Sequence, residues 1–355
     1  MSSEKKPEKK RQNINKKNYY LNQVKSKLMI KKNFNKVLFI INSLLLLILL
    51  VTYSVPMIHP SYLWQISLLG IIFPLILAFN IIFAIYWLFS WKKYFWANLI
   101  IILFGTSHID NIIANQKNKL SSQEFSDIKM NKKHQFDQLI NIMTYNVRLF
   151  NQNENINNNN VENDIIDIIK NKNPKILCLQ EFNLTNKTKE LFDFYNIEAS
   201  NDNKLQIFTK YDVLNVGFVE SINSCLYKDI ILNDTIRVYN IHLQSNWVKT
   251  MKSSYINRAN ESKKIKDHIN SSPFPVIVCG DFNDTPISYT YSTIKENLAD
   301  AFKESGIGIG NSYVGIPSLR IDYILHDKKF NSYNYKKNKY ELSDHFPISC
   351  SILIP

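Results

Sequence analysis

The chain has 355 residues, more than one average domain needs and enough for two units. Four cysteines with no CxxC pair exclude a disulfide scaffold and a structural zinc site, and eight glycines and eleven prolines exclude a low-complexity chain. The net charge of +13 suggests a polyanion binder only until it is located. Twelve of the 43 Lys and Arg residues lie in 1–36 beside only Glu4 and Glu8, so the basicity belongs to a tail.

From Val37 to Trp91 there is no Asp, Glu, Lys or Arg. That run is far longer than the ~20 residues that cross a bilayer once. Pro56 and His59-Pro60-Ser61 divide it, giving one span near Val37–Ser54 and a second near Leu63–Trp91 with Pro74 as a kink. After Lys92-Lys93, the stretch Tyr94–Ile109 is again uncharged but short, and reads as a third span entered through an aromatic interface. A segment lying flat on the membrane is the alternative for that piece. The basic tail favours a cytoplasmic N-terminus. Three spans then place everything after about residue 110 outside the cytoplasm, and two leave it inside. The tail is too long, and the apolar run lacks a small-residue cleavage site, for a secretory signal peptide. The expected organisation is a basic cytoplasmic tail (1–36), a helical transmembrane region (37–109), a polar linker (110–137) and a folded domain (138–355). It implies an integral protein of a bacterial-type cytoplasmic membrane with its domain extracytoplasmic.

Beyond Gln138 the apolar runs shorten to strand length. Strands are predicted at LINIMTYN (139–146), PKILCLQE (174–181), LQIFTK (205–210), TIRVYNIHL (235–243), PVIVCGDFN (275–283), RIDYILH (320–326) and HFPISCSIL (345–353). DIIDIIK (164–170) has apolar pairs at helical spacing and stops before Pro174, and residues 255–270 form a second helix. The Asn-rich run at 151–160 reads as a loop. The whole describes a layered α/β domain.

What closes these strands carries the chemistry. Asn146, Glu181, His242, Asp281 with Asn283, and Asp344-His345 stand at strand ends, and Asp322 opens the strand before the last. Each alone has a plain reading. GDFND is also the composition of an Asx turn, Glu181 could be a surface residue, and His242 a packed one. Adjacent Asp and His before an apolar strand, as in SDHFP, are less easily explained by packing. Phosphodiester hydrolysis needs charge neutralised on the phosphoryl oxygens, a water aimed in line and a proton supply. A hard cation such as Mg²⁺ takes oxygen ligands and keeps several waters, so one or two carboxylates hold it.

Taken in order, YN, LQE, NIHL, GDFN, IDYI and SDHFP resemble the motifs of the endonuclease/exonuclease/phosphatase superfamily, over about 139–355. That group includes deoxyribonuclease I, the exonuclease III type of abasic-site endonuclease, neutral sphingomyelinases and inositol polyphosphate 5-phosphatases. The resemblance implies a four-layer α/β sandwich, two packed mixed sheets flanked by helices, behind the small transmembrane region. It implies Mg²⁺ or Mn²⁺ held by Glu181, the amide oxygen of Asn146 and Asp344. By the same resemblance His345 acts as base or electrostatic clamp, oriented by Asp322. Asp281 orients the water, Asn283 donates to a phosphoryl oxygen, and His242 contacts the phosphate or the leaving group. Arg148 is near enough in sequence to reach the phosphate, or to make a surface salt bridge. His242, where abasic-site enzymes usually have tyrosine, and Phe182-Asn183, where they have a lysine, side with the deoxyribonuclease I and sphingomyelinase branches. The expectation is a membrane-anchored, Mg²⁺-dependent phosphoric ester hydrolase acting on nucleic acid or a phospholipid headgroup at the bilayer, with no obligate protein partner indicated. The alternative is a catalytically silent membrane protein that binds a phosphate ligand in the same pocket. Cys178 and Cys279 read as buried thiols, whereas Cys225 and Cys350 could pair in an exported domain.

Overall fold

The computed structural model describes residues 5–118, 139–151, 158, 160–195, 197, 204–245 and 250–355, with side chains from residue 15. It divides into two compact units, one of Met1–Leu50 with Leu75–Leu103 and one of Val51–Pro74 with Phe104–Pro355.

The first unit is helical. It draws on α1 (Lys5–Tyr53), α2 (Ser67–Phe89, with Pro74 inside) and α3 (Tyr94–Phe104). Two stretches, Asn15–Met57 and Pro60–Phe89, are long and apolar enough to cross a membrane. The 11 residues of α3 rise only about 16 Å at ~1.5 Å per residue. Three of the polar side chains within these helices bond each other. Asn42 and Asn98 exchange amide hydrogen bonds of 2.9 Å, and Trp87 Nε1 donates to Asn42 Oδ1 at 2.8 Å.

The second unit begins its sheets with β1 (Ile113–Asn115) and β2 (Leu139–Asn146). After α4 (Val161–Lys172), β3 (Ile176–Gln180) and α5 (Lys189–Tyr195) come β4 (Gln206–Thr209), β5 (Val213–Phe218), β6 (Cys225–Ile231) and β7 (Thr235–His242). Helix α6 (Met251–Asn270), β8 (Val276–Asp281), α7 (Tyr289–Lys295), β9 (Leu298–Asp300) and α8 (Ala301–Ser305) follow. The chain ends with β10 (Ile307–Ile309), β11 (Asp322–Asp327), β12 (Asn331–Lys337) and β13 (Ile348–Leu353). One sheet has the order β12-β13-β2-β3-β4 and the other β5-β6-β7-β8-β11-β9, while β1 and β10 make a small antiparallel pair. Among the described residues only β2/β3 and β7/β8 run parallel, and α4 and α6 are their crossovers.

Alternation along the strands builds the layers. Ile142, Ile176, Ile207, Val238, Ile277, Ile324 and Ile348 fill the space between the sheets. Their neighbours Met143, Leu177 and Leu179 turn outward onto Ile165, Ile169 and Leu191 of α4 and α5. Tyr239, Val278 and Leu325 pack on Ile265, Tyr291 and Ile294 of α6 and α7. Both faces of each central strand are therefore apolar, which is why these segments read as continuous runs and not as alternating ones. Helix α4 carries Glu162 and Asp164 in its first turn and Lys170 and Lys172 in its last, matching the helix dipole, and Asn173 (φ 46°) ends it.

Three readings need revision. The stretch read as a linker is partly structured: β1 pairs with β10, and Gln116 and Asn118 donate backbone bonds to Gly306 O and Glu304 O. Residues 119–138, and most of the Asn-rich run, lie outside the described residues. Cys225 and Cys350 do not pair. All four cysteines are free and buried, and these two sit in different core layers. Strands β5, β6 and β12 were not anticipated; β5 is an exposed edge and β12 is polar, so neither offers the apolar run that marks an inner strand.

Candidate active site

Register brings the polar strand ends to one level. His242 on β7 is the partner of Asp281 on β8, and Asp281 is the partner of Asp322 on β11. Across the second sheet Asn146 on β2 pairs with Gln180 on β3, one residue before Glu181. A buried amide bridge ties the two sheets just beneath: Gln180 Nε2 donates to Asn240 Oδ1 at 2.6 Å, and Asn240 Nδ2 donates to Leu179 O at 2.8 Å. Sequence reasoning missed this pair, although a Gln and an Asn inside runs of Ile, Leu and Val are a visible anomaly.

The expected residues converge. Asn146 Nδ2 donates to Glu181 Oε1 at 3.2 Å and to Asp281 Oδ2 at 3.1 Å, joining the two sheets through two carboxylates. His242 Nε2 stands 3.6 Å from Glu181 Oε1 and 3.8 Å from Asp281 Oδ2. His345 Nδ1 bonds Asp322 Oδ2 at 2.8 Å, and its Nε2 faces Asp281 Oδ2 at 3.6 Å. Asn283 closes the set, its backbone N–H donating to Asp281 Oδ1 at 2.8 Å and its amide to Leu243 O at 2.8 Å. Asp344 lies further out, 3.5 Å from Arg148 Nε, and half-exposed. Arg148 therefore makes the ion pair that was one of its two readings. Asn146 differs from expectation in orientation. Its nitrogen faces the carboxylates and its oxygen accepts from Arg148 N–H at 3.1 Å, because two anions attract the amide donors more strongly than one backbone N–H attracts its acceptor.

Unusual backbone surrounds these groups. Arg148, Leu149, Phe150 and Asn151 form a left-handed turn (φ 47°, 51°, 54° and 63°), and Glu181 and Asn283 both have φ 49°. Such conformations are unfavourable for side-chain-bearing residues by roughly 1–2 kcal/mol each. They persist where surroundings fix them: Leu149 N donates to Glu181 O at 2.9 Å and Val147 N to Gln180 O at 3.0 Å. Gly280 (φ 132°) is required outright, since a Cβ there would stand 2.0 Å from Ile241 O. Its absence lets β8 approach β7 just before Asp281. Ser343, unnoticed in the sequence, donates to Asn146 O at 2.8 Å and accepts from His345 N–H at 3.2 Å, pinning the SDH turn to the end of β2.

Burial and charge set the protonation. Burial pushes the Asp281 carboxyl up to about 6, with His345 opposing and Asp322 adding to the rise. Burial alone would lower His345, but Asp322 and Asp281 outweigh it and raise the imidazole to about 10. Asp322 Oδ1 is buried without a hydrogen-bond partner among the described residues. Ligand atoms of Asp281, Asp322 and His345 lie within 4.8 Å of one another, a group that could hold a metal ion. A cavity of about 680 Å³ opens beside Glu181 and His242, walled further by Lys204, Ser224, Gln244 and Glu261.

A profile of the Endonuclease/Exonuclease/phosphatase family matches residues 143–345, so the chain belongs to that family. A domain of unknown function (DUF8431) matches residues 35–112. No curated protein matches the sequence. Solved structures are similar to the chain at low identity. An endonuclease/exonuclease/phosphatase family protein from Bacteroides thetaiotaomicron is 16% identical, with 61% of this chain and 98% of that one covered and a TM-score of 0.48. A mannosyl-6-phosphatase from the same organism is 15% identical, with 61% and 100% covered and a TM-score of 0.47. Sphingomyelinase C from Streptomyces griseocarneus is 16% identical, with 60% and 99% covered and a TM-score of 0.43. The architecture is that of the family's phosphoesterases, with two mixed sheets flanked by helices.

Proposed function

We propose that this chain is a membrane-anchored, divalent-cation-dependent phosphoric ester hydrolase. The observation that carries the reading is the gathering of Asn146, Glu181, His242, Asp281, Asp322 and His345 from two sheets within hydrogen-bond or ion-pair reach of one another. The donor set suits a hard cation: Glu181 and Asp281 crowd one amide, Asp322 keeps an unpartnered oxygen, and oxygen donors outnumber imidazoles. Glu181, the more exposed of the central carboxylates, would be the principal ligand, with Asp344 and Asn146. Bound there, Mg²⁺ or Mn²⁺ would supply charge neutralisation at the phosphoryl oxygens.

The chain's own groups do the rest. Asp281, ionised above about pH 6, orients the attacking water. His345, oriented by its bond to Asp322, clamps the developing negative charge. Asn283 donates to a non-bridging oxygen, and His242, at the mouth of the 680 Å³ cavity, attends the leaving group. Substrates in this reading are phosphate esters, either nucleic acid or a phospholipid headgroup.

An extracytoplasmic domain is supported by packing within the second unit. The turn Val55–Met57, at the end of the first apolar stretch, packs on α7, and Pro60–Leu63 and Trp64–Ile66, at the start of the second, pack on α6. That turn and the catalytic domain then share one side of the bilayer. The twelve basic residues ahead of it keep the N-terminus on the other, cytoplasmic side. Connectivity then makes α3 and the residues after it a third crossing.

The test is turnover of a generic phosphodiester by the full chain in detergent, with Mg²⁺ and with EDTA. Metal-dependent turnover that Glu181→Ala and His345→Ala abolish is expected. Phosphate-ester binding without turnover would favour the silent-binder reading.

A further inference from the structure

A second cavity, of about 530 Å³, shares no lining residue with the cleft beside Glu181. Its floor comes from α6 and α7, and its far wall is Pro56, in the turn that ends the first apolar stretch. That turn is held against the domain by the ring of His59, 5.0 Å from the ring of Tyr289. Asn111, on the chain leaving the apolar region, closes the cavity by donating to Pro286 O at 3.3 Å.

Lys263, Lys266 and Lys295 line this space with the hydroxyls of Ser292 and Thr293. Of the acidic residues there, Glu296 is paired with Lys266 and Asp267 is exposed at the rim. Positive charge is in excess. The neighbouring Lys303, which donates to Asn111 Oδ1 at 2.7 Å, has its proton affinity reduced first by burial and then by the charge of Lys295. Lysines and hydroxyls beside the Pro56 turn offer hydrogen-bond donors to an anion. Basic groups at a bilayer surface attract anionic headgroups.

We propose that this cavity holds the phosphate of an anionic phospholipid headgroup where the Pro56 turn meets α6 and α7. The inference rests on the membrane-anchored reading. It ties the domain to the bilayer by a second contact besides the spans and leaves the catalytic cleft free.

Native mass spectrometry of the full chain in micelles tests it, with dioctanoyl phosphatidylglycerol and dioctanoyl phosphatidylcholine as probes. Wild type should retain the anionic lipid at least about tenfold better, and Lys263→Glu with Lys295→Glu should lose that preference. Lys264→Glu, on the same helix but outside the cavity, should keep it. Equal retention of the two lipids, an equal loss in Lys264→Glu, or displacement by equimolar inorganic phosphate would overturn the proposal. Circular dichroism of each variant separates lost binding from lost folding. Alkaline carbonate extraction of wild-type membranes separately tests anchoring: a chain that leaves the membrane fraction refutes the anchored reading, whatever lipid it retains.

Discussion

Replacing Asp322 with Asn isolates the strongest electrostatic contact in the site. The carboxylate lies 2.8 Å from His345 Nδ1, and both side chains are buried. The displacement of His345 from 6.5 to about 10 corresponds to roughly 5 kcal/mol at about 1.36 kcal/mol per pH unit. Asp281, 3.6 Å from Nε2, supplies part of that and survives the substitution. The variant should therefore be less stable by about 3–5 kcal/mol at pH 6, the usual result of unpairing a buried charge. The sign with pH follows from the raised value. The stabilisation is complete below about 6.5 and is lost as pH rises through about 10, where the folded-state imidazole becomes neutral. Near pH 10 the difference between Asn and Asp should shrink to about 1 kcal/mol, that of an ordinary hydrogen bond. Thermal and urea unfolding of the full chain in micelles with EDTA, at pH 6 and pH 10, measures both. A difference that is the same at the two pH values would refute the assignment of His345 as a paired imidazolium.

Other outcomes follow from the same geometry. Glu181→Gln keeps the fold, because the carboxylate is partly exposed, but should lower Mg²⁺-dependent turnover by about a hundredfold or more and weaken Mg²⁺ binding in calorimetry. Turnover should fall below about pH 6 as Asp281 takes up its proton, and a pH–rate profile of Asp281→Asn should lack that limb while residual activity persists. Gly280→Ala should destabilise the chain by more than about 3 kcal/mol in the same unfolding assay, since its Cβ would meet Ile241 O at 2.0 Å. Single cysteines at Met57 and near Pro355 should react with an impermeant reagent from the same side of intact cells, and one near Lys92 should not; labelling of Met57 and Pro355 from opposite sides would remove the extracytoplasmic placement.

Much of the domain was legible because the information is local. Strand β2 falls on the predicted 139–146, and β7 and β8 end at His242 and Asp281, one and two residues before the predicted 243 and 283. Each of those segments is a mostly apolar, strand-length run with a polar group at its end, a pattern that needs no knowledge of neighbours. Strands β5 and β12 escaped for the converse reason: their conformation is fixed by ladder bonds to β6 and β13 and not by their own polar or exposed side chains.

The sequence by itself determined the apolar helices, the alternation of strands with helices and the identity of the polar groups, because each is a property of residues near one another along the chain. Tertiary structure alone decided that Asn146 bridges Glu181 and Asp281 and that the Pro56 turn packs on α6 and α7, and it supplied the 2.8 Å contact behind the Asp322–His345 pairing that the resemblance implied. Register between strands and packing between layers fix those pairings, and both bring together residues more than twenty positions apart whose mutual distance no local pattern encodes.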